Sequence, residues 1–356
     1  MTSRSMTIDM LPAGFGDCLL VSCPVGGREW RMLIDTGPDE TYPALKRRLN
    51  QLPIEPDGRR YIDLLVITHI DHDHIGSAKL LLEDNELALT FGDIWFNSPP
   101  VPRARGVGEG QLLAALLGAG PRNLPWNVAW SGGPVSTPAK GGGVQLEAKD
   151  LPVLTLLSPS PGELKDLYKI WAKELERLRL KQRDPATVVP LARGIYPTAL
   201  EVMAERKTPE DKAIPNGSSI AFLLEHKGKS ALFCADAFPR VLSAAIQSVI
   251  ERRGLKGPLA VDVIKLSHHG SRSNTTNELM KVVKAKHYLC STNNSYFNHP
   301  DEEALARTIV ASDAPTLWFN YDTSKNRFWD SVDLKSKYQY RANYPNQAGD
   351  GVTISF

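Results

Sequence analysis

The sequence predicts an α/β architecture in which two β-sheets pack together with helices on the outside. Three observations carry this. Both halves of the chain are rich in short apolar runs broken by turn residues. Each half also supplies helical segments, as over Tyr42–Leu52 and Ala237–Arg253. Finally, Tyr61–Thr68 (YIDLLVIT) is a nearly continuous β-branched and aliphatic run, the pattern of a strand covered on both faces. A sheet face and a helix stripe must each be buried against another element, and packed sheets with outer helices satisfy both.

Taken in order, Met6–Leu11 and Cys18–Cys23 read as strands separated by the turn Gly14-Phe15-Gly16-Asp17. Arg31–Asp35 is the next strand, stopped by Thr36-Gly37-Pro38, and Tyr42–Leu52 places Leu45, Leu49 and Leu52 on one helical side. After Tyr61–Thr68 comes a polar loop, His69–Gly76, then a helix near Ser77–Leu82 with Ser77 as its cap. The Gly- and Pro-rich stretch 99–143, with one helical segment at Gly110–Leu117, reads as an insertion over one face. Val153–Ser158 is a strand, and Gly162–Arg183 is a charged amphipathic helix within a second insertion, 162–213. Ser218–Glu225 and Ser230–Ala235 form a hairpin around His226-Lys227-Gly228-Lys229. Asp262–Leu266, His287–Ser291 and Thr316–Phe319 are further strands, with a helix over Glu302–Val310. The expectation is one domain over residues 1–356 carrying two insertions.

Composition excludes several classes. With 356 residues, 42% hydrophobic and 23% charged, the chain reads as an ordinary globular protein long enough to bury a large core. A net charge of +2 leaves no broad footprint for nucleic acid or membrane. The four cysteines, Cys18, Cys23, Cys234 and Cys290, match neither a metal-ligand pair nor a disulfide framework. No apolar run reaches the ~20 residues of a membrane helix, and the first residues lack a signal-peptide pattern. The expected location is therefore the cytoplasm, with no membrane partner.

The chemistry concentrates directly after the strongest strand, where His69, Asp71, Asp73 and His74 place four potential ligands within six residues. Two carboxylates held close repel each other, and a bound cation removes that cost. A solvated polar loop would explain two charges here, but poorly explains His-x-Asp-x-Asp-His at the end of a buried strand.

Thr68-His69-Ile70-Asp71-His72-Asp73-His74-Ile75-Gly76 resembles the HxHxDH signature of the metallo-β-lactamase superfamily, with Asp71 in place of the second histidine. That variant resembles the branch containing the hydrolase domain of bacterial DNA-uptake channel proteins. Other landmarks follow in order: Gly14–Val21, Leu33-Ile34-Asp35-Thr36-Gly37, Asn216-Gly217-Ser218-Ser219, Phe233-Cys234-Ala235-Asp236-Ala237, Ser267-His268-His269-Gly270-Ser271, and Asn293-Asn294 with His299-Pro300. Together they span about residues 7 to 310.

The resemblance implies an αββα sandwich of two mixed β-sheets flanked by helices, and a hydrolase with two divalent metal ions. It implies that His69 and Asp71 hold the first ion, that Asp73, His74 and His268 hold the second, that Asp236 bridges them, and that Asp35 supports the ligand loop from behind. Many superfamily members place a further histidine ligand between the signature and the bridging aspartate. Here that interval holds only His226, in a hairpin turn, so the first ion is left with three protein ligands. Zinc is the family default, and an oxygen-rich first site also suits manganese or iron. Asp73 would orient a metal-activated water or take its proton, and His299 and His269 would donate to the developing charge or leaving group. His72, inside the loop, is expected to face solvent or support a ligand, and His226 and His287 to be structural.

The leading expectation is hydrolysis of a phosphodiester in a nucleic acid or nucleotide, by a free-standing enzyme working beside a neighbouring protein. One alternative is an ester, lactone or thioester hydrolase on the same ions. The other is a non-catalytic module or partner subunit with a degenerate metal site, which the missing histidine favours. Substrate and oligomeric state are not written in the sequence.

Overall fold

A computed structural model of the chain describes residues 5–99, 108–120, 122–139, 142–181 and 199–356. Fourteen strands among these residues form two sheets. The first contains β1 (Thr7–Met10), β2 (Leu19–Val25), β3 (Arg28–Ile34), β4 (Arg60–Val66) and β5 (Leu89–Trp95). The second contains β6 (Val144–Leu146), β7 (Val153–Ser158), β8 (Ala221–His226), β9 (Lys229–Phe233), β10 (Leu259–Lys265), β11 (Val283–Cys290), β12 (Thr316–Phe319) and β13 (Arg341–Asn343). The last strand, β14 (Val352–Ser355), returns to the first sheet and pairs antiparallel with β1. The strand orders are β14-β1-β2-β3-β4-β5 and β13-β12-β11-β10-β9-β8-β7-β6. Both sheets are mixed. β3, β4 and β5 run parallel, as do β9 through β13, and the remaining neighbours are antiparallel.

The parallel runs require crossovers, which helices supply. Pro239–Arg252 links β9 to β10, Asn277–Val282 links β10 to β11, and Glu302–Val310 links β11 to β12. Three apolar clusters show the layering. Ile8, Leu19, Val21, Met32, Leu64 and Val66 of the first sheet pack with Leu156, Phe222, Phe233 and Val263 of the second. Leu65 and Ile67 face the other way, toward Leu45, Leu49 and Leu81 of the first helix layer. Ile264 and Tyr288 face Leu242, Ile246 and Ile309 of the other. The run Tyr61–Thr68 is thus covered on both faces, as its lack of polar alternation requires.

The structure differs from the sequence expectation in places. Ser77 stands at the N-cap position of the helix Ala78–Glu83, but its side chain does not cap it: the hydroxyl donates to the Pro38 carbonyl at 2.7 Å, tying the ligand loop to the turn after β3. The charged helix runs over Pro161–Lys181, and Leu167 and Trp171 on it are buried in the first helix layer. The end of the expected helix, to Arg183, and parts of both expected insertions lie outside the described residues. Among the described residues, no helix is long and apolar enough to cross a membrane.

Candidate metal centre

Every chemically important loop leaves the carboxyl end of a parallel strand, the place where open α/β sheets bind ligands. Asp35 follows β3, Thr68–His74 follows β4, Asp236 follows β9, His268 and His269 follow β10, and Ser291–His299 follows β11. Asp35, Ala235, His268 and His269 all have left-handed backbone, with φ of 57°, 45°, 50° and 55°. Such non-glycine residues cost about 1–3 kcal/mol each and cluster at functional sites. The strain has a visible use, since it turns each strand end sharply into the cleft.

The loops converge. His69 Nε2 lies 3.7 Å from Asp71 Oδ2 and 3.8 Å from Asp236 Oδ2. His74 Nε2 lies 3.4 Å from Asp236 Oδ1 and 3.7 Å from Asp73 Oδ2. His268 Nε2 is 3.6 Å from Asp236 Oδ2, and His269 Nε2 is 3.1 Å from Asp73 Oδ2. Among the described residues, three buried trios, His69–His74–Asp236, Asp73–His74–His269 and Asp17–Asp35–His74, are each compact enough to share one cation.

The outer nitrogens settle the tautomers. His74 Nδ1 is 2.7 Å from Asp35 Oδ2, and His269 Nδ1 is 2.9 Å from the Ser291 carbonyl. Both partners only accept, so both nitrogens carry hydrogen. Thr68 spends its hydroxyl hydrogen on Asp35 Oδ2 at 2.8 Å, so its oxygen accepts from His69 Nδ1 at 3.0 Å. Asn274 uses its amide hydrogens on Asp211 and the Asp236 carbonyl, and its oxygen accepts from His268 Nδ1 at 3.0 Å. In the neutral rings, all four Nε2 lone pairs therefore face the three carboxylates. That arrangement is repulsive without a positive charge between them.

Unpaired atoms agree. Among the described residues, His69 Nε2, His74 Nε2, Asp71 Oδ1 and Asp236 Oδ1 are buried with no hydrogen-bond partner, a costly condition that coordination relieves. Charge balance points the same way. Burial opposes a charged His74, but Asp236, Asp35 and Asp73 outweigh it and hold the imidazole well above its ordinary value. Burial likewise opposes a charged Asp236, and His268 and His74 outweigh it. The donor set thus fits divalent cations: imidazole nitrogens and carboxylate oxygens, with outer hydrogen bonds fixing each ring.

Placement refines the sequence expectation. His69, Asp71, Asp73, His74, Asp236 and His268 do meet, and Asp35 does sit behind the loop. However, His269, expected as a proton donor, stands against Asp73 and His74, where His268 was expected. His268 instead approaches the Asp236 oxygen that faces His69, the side left short of a ligand. Adjacent residues on an ordinary strand end would not divide this way; two successive left-handed residues make it so. His299 lies beside the cluster, its ring centroid 5.2 Å from His268, and burial lowers its pKa.

Other residues support the centre. Gly16 is required by close approach, because a Cβ there would sit 1.8 Å from the Asp73 carbonyl oxygen. The neighbouring Asp17 donates its backbone N–H to that same oxygen. Asp17 also pairs with the fully buried Lys265 at 2.8 Å and stands 3.3 Å from His269 Nδ1. Neither Asp17 nor Lys265 is marked as a site residue by a motif in the sequence. A lysine at the end of an apolar strand, LAVDVIK, was the available signal. His72 is half-buried, with Nδ1 3.0 Å from Glu109. His226 bonds the Pro24 carbonyl, and His287 accepts from Trp318, both away from the centre.

Residues 11–88 match the family model described as the metallo-beta-lactamase superfamily. The two mixed sheets flanked by helices, with the His/Asp cluster at the strand ends, are consistent with the fold named for that family. The chain is 23% identical over 316 residues to ComE operon protein 3 of Bacillus subtilis, a match covering 84% of this chain and 30% of that protein. It therefore spans under a third of that relative's length. Among solved structures, Zn(2+)-bound PqqB from Methylobacterium extorquens is similar at 11% identity and a TM-score of 0.43, over 98% of this chain and 100% of that one. CmlA of Streptomyces venezuelae, a diiron β-hydroxylase, is similar at 14% identity and a TM-score of 0.41, over 100% of this chain and 54% of that one.

Proposed function

We propose that the chain is a metal-dependent hydrolase that cuts a phosphodiester of a nucleic acid or nucleotide. The observation that carries the reading is the inward set of four imidazole nitrogens around three carboxylates, each ring committed by its outer hydrogen bond. His69, Asp71 and His268 would hold one cation, Asp73, His74 and His269 the other, with Asp236 shared. Zinc suits this set, and the carboxylates also suit manganese or iron. Bound there, the cations would supply Lewis acidity, acidifying a water and polarising the phosphoryl oxygen.

The chain's own residues do the rest. Asp35 keeps the His74 ring fixed through Nδ1. Asp73, whose carboxylate burial disfavours but His74 and His269 hold at a pKa of about 2, stays ionised at neutral pH and can orient a water or take its proton. His299, kept neutral by burial, offers a ring N–H to the departing oxygen. The choice of a phosphodiester draws support from the sequence resemblance to the DNA-uptake branch.

The test is a substrate panel of phosphodiesters and acyl esters, run with wild type and Asp73→Ala, each with and without chelator. The expected result is phosphodiester turnover that falls at least ~10²-fold in the variant and stops in chelator, while the circular dichroism spectrum holds. Turnover of acyl esters alone would overturn the substrate, and undiminished activity in the variant would overturn the assigned residue.

A further inference from the structure

A row of aromatic rings leads to the metal centre. Phe15, in the turn between β1 and β2, stacks on Tyr296 with centroids 5.0 Å apart and planes at 23°. Tyr296 meets Phe297 edge-on at 4.5 Å. Phe297 lies parallel to His299 at 5.8 Å and edge-on to His268 at 5.9 Å. Phe297 is nonetheless 42% exposed. These rings are not part of the three apolar clusters, so packing of the core does not explain them.

The loop that carries the row is held in place. Asn293 donates its backbone N–H to the Gly14 carbonyl at 2.8 Å, joining the two ring-bearing loops. Asn294 bonds the His299 carbonyl and Asn326, and Lys325 bonds the Asn298 carbonyl. An exposed ring on a fixed loop presents a binding face at little ordering cost. The flanking residues of this loop, Asn293, Ser295 and Asn298, are polar, so the loop itself adds no apolar wall beside the rings. An alkyl chain gains most from enclosure on several sides, whereas a flat π-system is satisfied by one ring face.

We infer that Phe297, backed by Tyr296 and Phe15, is a stacking subsite for one unpaired nucleobase of the substrate, next to the phosphodiester at the metal centre. This rests on the phosphodiester reading, in which the base is the only flat apolar part of the substrate. Stacking on Phe297 requires a base free of its duplex neighbours, so the site takes single strands, strand ends or nucleotides. A net charge of +2 fits a short contact of this kind better than a long duplex groove.

The test uses the metal-loaded full chain, with Phe297→Ala and Phe297→Trp, and two probes. One is a single-stranded trinucleotide containing 2-aminopurine, whose fluorescence is quenched on stacking; the other is the same strand with an abasic residue in that place. The expected result is quenching with wild type and Phe297→Trp and roughly tenfold weaker binding to Phe297→Ala. Wild type is also expected to prefer the base-bearing strand over the abasic one, a preference that Phe297→Ala loses. Quenching without cleavage of any phosphodiester would sink the proposed reaction and leave the subsite standing. Cleavage with equal use of both strands, or quenching unchanged in Phe297→Ala, would overturn the subsite alone. Absence of both quenching and cleavage would overturn both.

Discussion

Replacing Asp35 by asparagine tests whether the ligand rings are oriented from behind. Asp35 is fully buried and accepts three hydrogen bonds, from Thr68 N at 2.7 Å, Thr68 Oγ1 at 2.8 Å and His74 Nδ1 at 2.7 Å. Asparagine has one acceptor oxygen to offer. If that oxygen takes the place facing Thr68 Oγ1 and His74, its amide nitrogen confronts the Thr68 N–H, a buried donor against a donor costing about 1–3 kcal/mol. If the amide turns over, its nitrogen faces His74 Nδ1, and the ring must move its hydrogen to Nε2, which removes the inward lone pair. Loss of such an outer partner typically weakens metal binding by about 10–100-fold. At saturating metal, a hundredfold weaker Kd removes about 2.7 kcal/mol of metal-linked stabilisation. Urea unfolding in chelator reads the first cost, and a metal titration followed by unfolding in excess metal reads the second. Wild-type metal affinity together with wild-type stability in Asp35→Asn would refute the orienting role.

Four further outcomes rest on the geometry. His268→Asn and His269→Asn, chosen because asparagine tolerates left-handed backbone, should each lower the number of tightly bound cations by about one; elemental analysis after gel filtration checks this, and unchanged stoichiometry in either would remove that histidine from the ligand set. Lys265→Met leaves Asp17 buried without its cation and should cost about 3–5 kcal/mol in urea unfolding, with Asp17→Asn/Lys265→Met recovering part of it. Burial opposes the Asp17 charge, but Lys265 and His269 outweigh it and depress its pKa; stability from this group is therefore present above its unfolded pKa near ~3.9 and lost as pH falls below it, so the wild-type urea midpoint should drop below about pH 4 more steeply than that of the double variant. Burial pushes the Cys23, Cys234 and Cys290 thiols up to about 12 and raises that of Cys18 well above its ordinary value, so a thiol reagent at pH 8 should label none of the four until the chain is unfolded.

What could be read in the sequence was whatever a single segment states by itself. The ligand loop was legible because four donors crowd into six residues after a strand whose apolar run has no polar alternation. The hairpin leading to Asp236 was legible because Lys227-Gly228 breaks two apolar runs. The edges of the sheets were not. β5 contains Gly92, where a Cβ would lie 2.6 Å from the Asp63 carbonyl, and a glycine inside a strand weakens the very pattern that announces one. β13 is only three residues long. β14 is four residues, with Val352 and Ile354 inward and Thr353 and Ser355 outward, and its partner β1 lies at the opposite end of the chain.

The division of labour between His268 and His269 was hidden for a different reason. Side-chain direction follows from φ and ψ, and a motif fixes neither. Neighbouring residues on an extended strand point to opposite faces, which would have sent only one of the two rings into the cleft. With both residues left-handed, both enter, and they part around Asp236 toward His69 on one side and Asp73 on the other. The histidine missing from the interval before Asp236 is thus matched by a second imidazole after β10, delivered by backbone strain rather than by an extra motif. The same logic explains the aromatic row. Trp329 is buried in the core, and Trp318 donates its ring N–H to His287. The rings beside the centre are phenylalanine and tyrosine from two loops some 280 positions apart, brought together because the Gly14 carbonyl accepts the Asn293 N–H. Position in this site is set by loop-to-loop hydrogen bonds between the two sheets, and those are the interactions a linear pattern records least.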